Sequence, residues 1–537
     1  MNFASDNTAP VAPAILDAMV KANAGFALGY GNDDWTAGVE RRLAEVFERE
    51  VAVFLVPTGT AANALALAQV TPPWGVVFCH AESHIATDEC GAPEFFGGGL
   101  KLAGLSGGDG KIAPQTLQAA LGGYGGHRPH QMVAAALSLT QASEAGTIYR
   151  IDEIARLSEI AHARSLAVHM DGARFANALV RLNTTPAQMT WQSGIDVLSF
   201  GATKGGAMAA EAVVVFDPAR AAYFGERRKR AGHLLSKHRF IAAQMAAYLA
   251  GDCWLALAQI TPPWGAVFCH ADSHIATDEC GAPEFFGGGL KLEGLPGDGA
   301  KIAPKSLQAA LDGYGGHRPH QMVASALSIT QASEAGTIYR TDEIATLSEI
   351  AHARSLAVHM DGARFANALV RLNAGPAQMT WKSGVDVLSF GATKGGAMAA
   401  EAVIIFDTER AGFFGERRKR GGQLLSKHRF LAAQLAAYLA DDLWLNLARH
   451  ANAMADRLAQ KLSEAGLHPI WPVEANLIFV ALPRALDAKL KAAGASYYVR
   501  PSGDLKLPAD HLLARLVTSF ATQAGDIERF ANLCKSR

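Results

Sequence analysis

The sequence predicts an α/β fold. A mostly parallel sheet with helices on both faces is present twice in tandem, and a small C-terminal α/β domain follows. Three observations carry this expectation. Apolar runs alternate with helix-forming stretches along most of the 537 residues, the order that builds parallel strand–helix–strand units. The run "VAVFLV" at 51–56 is apolar throughout, as a strand covered on both faces is. The alternation is also written twice: "ALAQVTPPWGVVFCHAESHIATDECGAPEFFGGG" from Ala66 returns as "ALAQITPPWGAVFCHADSHIATDECGAPEFFGGG" from Ala256.

The elements follow in order. An irregular stretch, "SDNTAP…GYGNDDW", precedes a helix over 36–49 whose Val39, Leu43, Val46 and Phe47 share one face. A strand at 51–56 leads through the turn "PTGT" to "AANALALAQ", a strong helix former. Strand "GVVFC" then precedes helix "SHIATDECGAPEFF", and strand "KLAGL" precedes helix "APQTLQAALGGY". Strand "MVAAALSL" precedes helix "IDEIARLSEIAHARS". Strands "LAVHMD", "DVLSF" and "AEAVVVF" and helix "FIAAQMAAYLAGDCW" close the series. The tail begins with a long helix, "LWLNLARHANAMADRLAQKLSEAG". Strands "NLIFVAL", "SYYVR" and "RLVTSF" follow, mixed with two helices.

The repeat holds a constant offset of 190 without a gap, too long for a solenoid unit. It divides the chain into a unique N-terminal segment (1–65), core copy one (66–255), core copy two (256–445) and a small C-terminal domain (446–537). Scattered differences, such as Thr184 against Ala374, mark two related copies. The arrangement reads as two neighbouring genes joined by deletion, the first losing its tail and the second its head.

Composition narrows the function classes. With 49 basic and 50 acidic residues the net charge is −1, so no field of one sign points to nucleic acid or a membrane surface. The start lacks a signal-peptide pattern, and the most apolar stretch is interrupted by Gln244, Asp252 and Gln259. The six cysteines show no disulfide spacing. A reducing cytoplasm is the expected location. Zinc held by Cys79, His80, His84 and Cys90 is disfavoured, because their spacing fits no common finger.

Two residues stand out within each copy. Asp171 and Lys204 each end or follow an apolar strand, 33 positions apart, and recur as Asp361 and Lys394. Ligands of open α/β sheets bind beyond the carboxyl ends of the strands. A desolvated lysine there can lose its proton and condense with a carbonyl, and an acid on the next strand can keep a pyridine nitrogen protonated. The "TGT" turn opens a helix, whose first N–H groups bind phosphate. Lysine, acid and phosphate cup together describe pyridoxal 5'-phosphate.

Several motifs carry a resemblance. "FASDN", "YGNDDWTAGVERRLAEVFERE", "PTGTAANALAL", "SHIATDECGAPEFF", "HMDGARFANAL" and "SFGATKGGAMAAEAV" resemble the bacterial low-specificity L-threonine aldolases. These are fold-type I pyridoxal-phosphate enzymes, near the aromatic amino acid β-eliminating lyases, with the fold called PLP-dependent transferase-like. The resemblance implies a lyase that splits L-threonine or L-allo-threonine into glycine and acetaldehyde, or a relative preferring phenylserine. It implies that Lys204 and Lys394 hold the cofactor, and that Asp171 and Asp361 face its ring nitrogen. Gly59 and Thr60 would cradle its phosphate, and His84 and His274 would stack on its ring. Arg174 and Arg364 would bind the substrate carboxylate, with Ser5 and Arg515 as its other partners. The basic stretches "RRKRAGHLLSK" and "RRKRGGQLLSK" resemble a segment near the cofactor phosphate and subunit interface. A homo-oligomer or an internal pseudo-dimer is expected.

One departure matters. Many threonine aldolases carry a second histidine after the strand that here reads "LSLTQASEAG"; this chain has Ser143 and Glu144, and Ser333 and Glu334 in copy two. The base for the β-hydroxyl proton is then His84 or a bound water. Copy one has no tail of its own, and so no Arg515. Copy two has no phosphate cradle and no first strand, so its sheet is expected to expose an edge. A non-catalytic fusion is the alternative outcome.

Overall fold

Each run read as a strand contributes one, and each strand of copy two lies 190 residues after its counterpart. The computed structural model describes residues 7, 11, 13–204, 207–245, 265–314, 322–502 and 505–535. Two compact units are distinguished: Met1–Ala250 with Phe413–Leu431, and Gly251–Gly412 with Ala432–Arg537.

The first unit holds a seven-stranded sheet of β1 (Ala52–Val56), β2 (Gly75–His80), β3 (Lys101–Leu105), β4 (Val133–Thr140), β5 (Ala167–Gly172), β6 (Val197–Gly201) and β7 (Glu211–Val215). Their order is β1-β7-β6-β5-β4-β2-β3. The pairs from β3 to β6 are parallel, while β7 runs antiparallel to both β6 and β1. β7 is buried along its whole length between those neighbours. Helix Gly59–Val70 lies against β4 to β7 and is buried on all sides from Thr60 to Ala68. Its alanines and leucines suit that position: small side chains allow close approach, and the sequence shows no polar face.

Several points differ from the sequence reading. The stretch read as one helix over 83–96 is two short ones, His84–Thr87 and Ala92–Phe96. Cys90 and Gly91 between them adopt left-handed φ of 54° and 71°, which no helix continues through. A helix, Pro13–Ala22, lies within the stretch read as irregular. Helix Phe175–Leu182 follows β5 where no element was expected. Of the helix read over 240–254, Arg239–Gln244 is helical, and 246–254 lie outside the described residues.

The second unit repeats the sheet without its first strand. β8 (Gly265–His270), β9 (Lys291–Leu295), β10 (Val323–Thr330), β11 (Ala357–Gly362), β12 (Val387–Gly391) and β13 (Glu401–Ile405) run in the order β13-β12-β11-β10-β8-β9. β13 therefore forms the sheet edge. Its residues are half-buried or exposed, and Ile404 is 38% exposed. The missing strand accounts for the contrast with β7, which has the same sequence pattern.

The C-terminal region adds an antiparallel sheet of β14 (Leu477–Pro483), β15 (Tyr498–Arg500) and β16 (His511–Val517), ordered β14-β16-β15. Leu458 and Leu462 of helix Leu443–Glu464 and Ile527 of helix Ala524–Lys535 share a core with Ile478, Val480 and Leu516. Asn452 of the long helix exchanges hydrogen bonds with Asn367 of helix Phe365–Leu372 at 2.8 and 3.0 Å. Ala366 and Asn367 are buried beneath this region, whereas their counterparts Ala176 and Asn177 are exposed. Copy one, with no tail, leaves that helix face open.

Candidate active site

β5 and β6 are parallel neighbours, and Asp171 pairs across them with Ser199. Lys204 follows β6 by three residues, so both groups stand at the carboxyl edge of the sheet. Asp171 is buried. Its Oδ1 accepts the Ala173 N–H at 3.0 Å and its Oδ2 accepts the Asn63 amide at 2.9 Å. The same Asn63 nitrogen donates to Glu89 Oε1 at 3.0 Å, and that oxygen lies 2.8 Å from His84 Nδ1. A continuous chain thus runs Asp171–Asn63–Glu89–His84.

Electrostatics follow from burial. Desolvation draws the His84 imidazole down, but the Glu89 hydrogen bond and the charges of Glu89 and Asp171 outweigh it and raise its pKa. Burial raises the Glu89 carboxyl, opposed by His84 and Asn63 and reinforced by Asp171. Glu211, at the start of β7, is pushed up to about 7 by burial, against its bonds to Thr203 and Ala202 and the charge of Lys204. His169 lies on the Asp171 face of β5, two residues away, and bridges Ser138 and Ser199 at 2.9 Å on each ring nitrogen. Burial holds it down at about 4, so it is a neutral crosslink beneath the site.

The turn before helix Gly59–Val70 is built as a cap. Thr58 Oγ1 accepts the Ala61 N–H at 3.0 Å. A side chain at Gly59 would meet nothing within 4 Å, so the space in front of the first turn is open. Thr60 is buried.

The second unit assembles a different subset. His274 Nδ1 lies 2.8 Å from Glu279, Asp361 pairs with Ser389, and Arg364 is buried. Arg515 on β16 approaches Glu334 at 3.9 Å. Burial would raise the Glu334 carboxyl, but Arg364, Lys394, His274 and Arg515 together pull it below the usual range. Burial raises Asp361, opposed by Lys394 and His274. Lys394 is exposed, yet the protein crowded around it, and then Arg364, hold its ammonium below the ordinary lysine value.

The predicted residues therefore divide between the units. Gly59, Thr60, His84, Asp171 and Lys204 lie in the first, with Arg174 half-buried at the start of helix Phe175–Leu182. His274, Asp361, Arg364, Lys394 and Arg515 lie in the second. Ser5 lies outside the described residues. Glu144 is exposed, whereas Glu334 is drawn in among cations. Sequence reasoning missed Asn63, Glu89 and Glu211. Asn63 left a signal: it is the one polar side chain between Ala61 and Ala68 of a buried helix.

A family model described as "Beta-eliminating lyase" matches residues 2–261 and again residues 250–484. The chain belongs to the beta-eliminating lyase family. It is 42% identical over 254 residues to the "Low specificity L-threonine aldolase" of Pseudomonas sp. (strain NCIMB 10558), which spans 47% of this chain and 72% of that protein. The protein of the same name from Pseudomonas aeruginosa is 43% identical over the same shares. Among solved structures, a threonine aldolase of Leishmania major aligns over 99% of this chain and 97% of its own, at 18% identity and a TM-score of 0.42.

This lyase uses pyridoxal 5'-phosphate and acts on a small amino acid substrate. The residues of the first unit fit the cofactor. Asn63 Oδ1 and Glu89 Oε2 are buried without a hydrogen-bond partner beside Asp171, and open space faces the capped helix terminus. Among the described residues, no helix is long and apolar enough to cross a membrane, and no His, Cys, Asp and Glu cluster could hold a metal.

Proposed function

We propose that the chain cleaves L-threonine and L-allo-threonine to glycine and acetaldehyde, with the cofactor held by Lys204 of copy one. The single observation that carries this reading is the Asp171–Asn63–Glu89–His84 hydrogen-bond chain, with Lys204 at the same carboxyl edge of the sheet, in a chain 42% identical to a low-specificity L-threonine aldolase.

When bound, the cofactor supplies an electron sink for the bond between Cα and Cβ. Asp171 would keep the ring nitrogen protonated, with Asn63 fixing the carboxylate. The N–H groups of Gly59 and Thr60 would hold the phosphate at the helix terminus. Arg174 binds the substrate carboxylate through paired hydrogen bonds. His84 would face the cofactor and take the β-hydroxyl proton, general-base help worth about 10²–10⁴ in rate. Its raised pKa means that the neutral, proton-accepting ring forms at higher pH than for an ordinary histidine. In the second unit Lys394, Asp361 and His274 take the corresponding roles, with Arg364 and Arg515 as carboxylate partners. Ser5, matched by sequence alone, is a further candidate partner of the substrate carboxylate.

The test is release of glycine and acetaldehyde from L-threonine by the purified protein with added pyridoxal 5'-phosphate. Absence of both products, together with absence of a yellow cofactor band, would falsify the reading. Running L-phenylserine in parallel decides whether an aromatic substrate is preferred.

A second reading, a non-catalytic fusion, is favoured by one observation: Arg515 approaches Glu334 in the second unit, while the capped helix Gly59–Val70 lies in the first. Lys204→Ala and Lys394→Ala separate the two. If neither changes cofactor binding, the fusion reading stands. Assembly as a homo-oligomer and a cytoplasmic role in threonine breakdown and glycine formation belong to the same proposal; light scattering of the purified protein tests the first.

A further inference from the structure

The heptapeptide "FGERRKR" occurs at 224–230 and at 414–420, and both copies lie in the first unit. Identical sequence meets two different surroundings there. In copy one, Phe224 stacks on Phe54 of β1 at 4.2 Å, and Arg228 donates to Leu55 O at 3.2 Å. The copy-two segment lies instead on the candidate site. Gly422 O accepts from Thr58 Oγ1 at 2.9 Å, and Arg420 Nε donates to Cys90 O at 3.1 Å. The charge of Lys419 acts on His84. Lys427, 3% exposed, donates to Thr203 O at 2.9 Å and Ala207 O at 2.5 Å. Those carbonyls bracket Lys204.

The two segments also meet each other in a two-fold manner. Gln423 Nε2 reaches Gly232 O at 3.4 Å, and a Cβ at Gly422 would come within 2.9 Å of His233 Nε2. At the offset of 190, Gly232 corresponds to Gly422 and His233 to Gln423. Residue i of one copy meets j of the other, and j meets i, the signature of an isologous interface between identical subunits.

We infer that copy two closes the Lys204 site in cis: Phe413–Leu431 takes the place a second subunit would fill, and Lys427 is a positioning residue for the loop that carries Lys204. A buried ammonium fixes two carbonyls, one on each side of Lys204, while Gly422 fixes the cap at the other end of the site. The proposal rests on reading Lys204 as the cofactor lysine, and the test separates the two.

Two measurements decide it. In a Lys394→Ala background, Lys427→Gln should weaken pyridoxal 5'-phosphate binding at least about tenfold and shift the pH dependence of the cofactor absorbance. Lys427→Arg should restore part of both, and Lys237→Gln, the copy-one counterpart, should change neither. Wild-type affinity and pH profile in Lys427→Gln, or equal damage from Lys237→Gln, overturns the assignment of Lys427. Independently of cofactor, Arg420→Cys is cross-linked to native Cys90 with a short bismaleimide in a mixture of unlabelled and ¹⁵N-labelled chains. Cross-linked peptides of single isotope composition establish closure in cis; mixed-isotope peptides show that the segment comes from another chain and overturn it. Failure of the parent to load Lys204 sinks only the cofactor reading, and the cross-link still decides where the segment lies.

Discussion

At the scale of single residues, the site is organised by one amide. Asn63 serves two buried acids with one nitrogen, which keeps Asp171 and Glu89 at fixed separation despite their like charge. Asn63→Ala removes both bonds and leaves two buried carboxylates short of donors, a loss of about 1–3 kcal/mol each. Cofactor affinity is expected to fall at least about tenfold with the fold retained, as read by fluorescence titration and circular dichroism. Glu211 gives a pH signature. Its folded pKa of about 7 stands above the unfolded 4.5, so its contribution to stability is full below the unfolded value. That contribution is lost as pH rises through about 7. At about 1.4 kcal/mol per pKa unit, the loss is roughly 3 kcal/mol. Glu211→Gln should flatten it: the urea midpoint of the apoprotein should differ less between about pH 4.5 and about pH 8 than in the parent. An unchanged pH profile would mean that Glu211 ionises normally.

At the scale of elements, the cap and the edge strand each make a prediction. Thr58 both caps helix Gly59–Val70 and holds Gly422 O. Thr58→Ala should cost about 1 kcal/mol from the cap alone and lower cofactor affinity, whereas Thr58→Ser keeps the hydroxyl and should behave as the parent. β13 presents an edge that β7 does not, with Ile404 exposed on it. Exposed apolar edges template pairing between chains. Ile404→Lys is expected to raise the concentration at which the protein first scatters light, without changing cofactor loading at Lys204. Unaltered aggregation would show that the edge is already protected.

At the scale of the whole molecule, the duplication distributes one set of functional groups over two units. The helix terminus for phosphate lies in the first, and Arg515 lies in the second beside Glu334. Borohydride reduction of the loaded protein followed by peptide mapping should therefore mark Lys204 well above Lys394. Equal labelling would show that the helix terminus does not decide cofactor affinity.

The sequence by itself determined the strands, the repeat and the residues at strand ends. Those depend on local patterns: continuous apolar runs make buried strands, and a constant offset carries each element into the second copy. It also made the open edge of copy two predictable, because a missing strand is a missing string of letters. It did not reveal the roles of Asn63, Glu89 and Glu211, whose bonds join positions up to 108 residues apart, nor the break at Cys90 and Gly91, where backbone conformation overrides helix-forming neighbours. Only the tertiary structure decided where the two copies of "FGERRKR" go. Identical residues carry identical local preferences, so what separates them is long-range packing: one finds β1 and the other finds Thr58, Cys90 and the loop of Lys204.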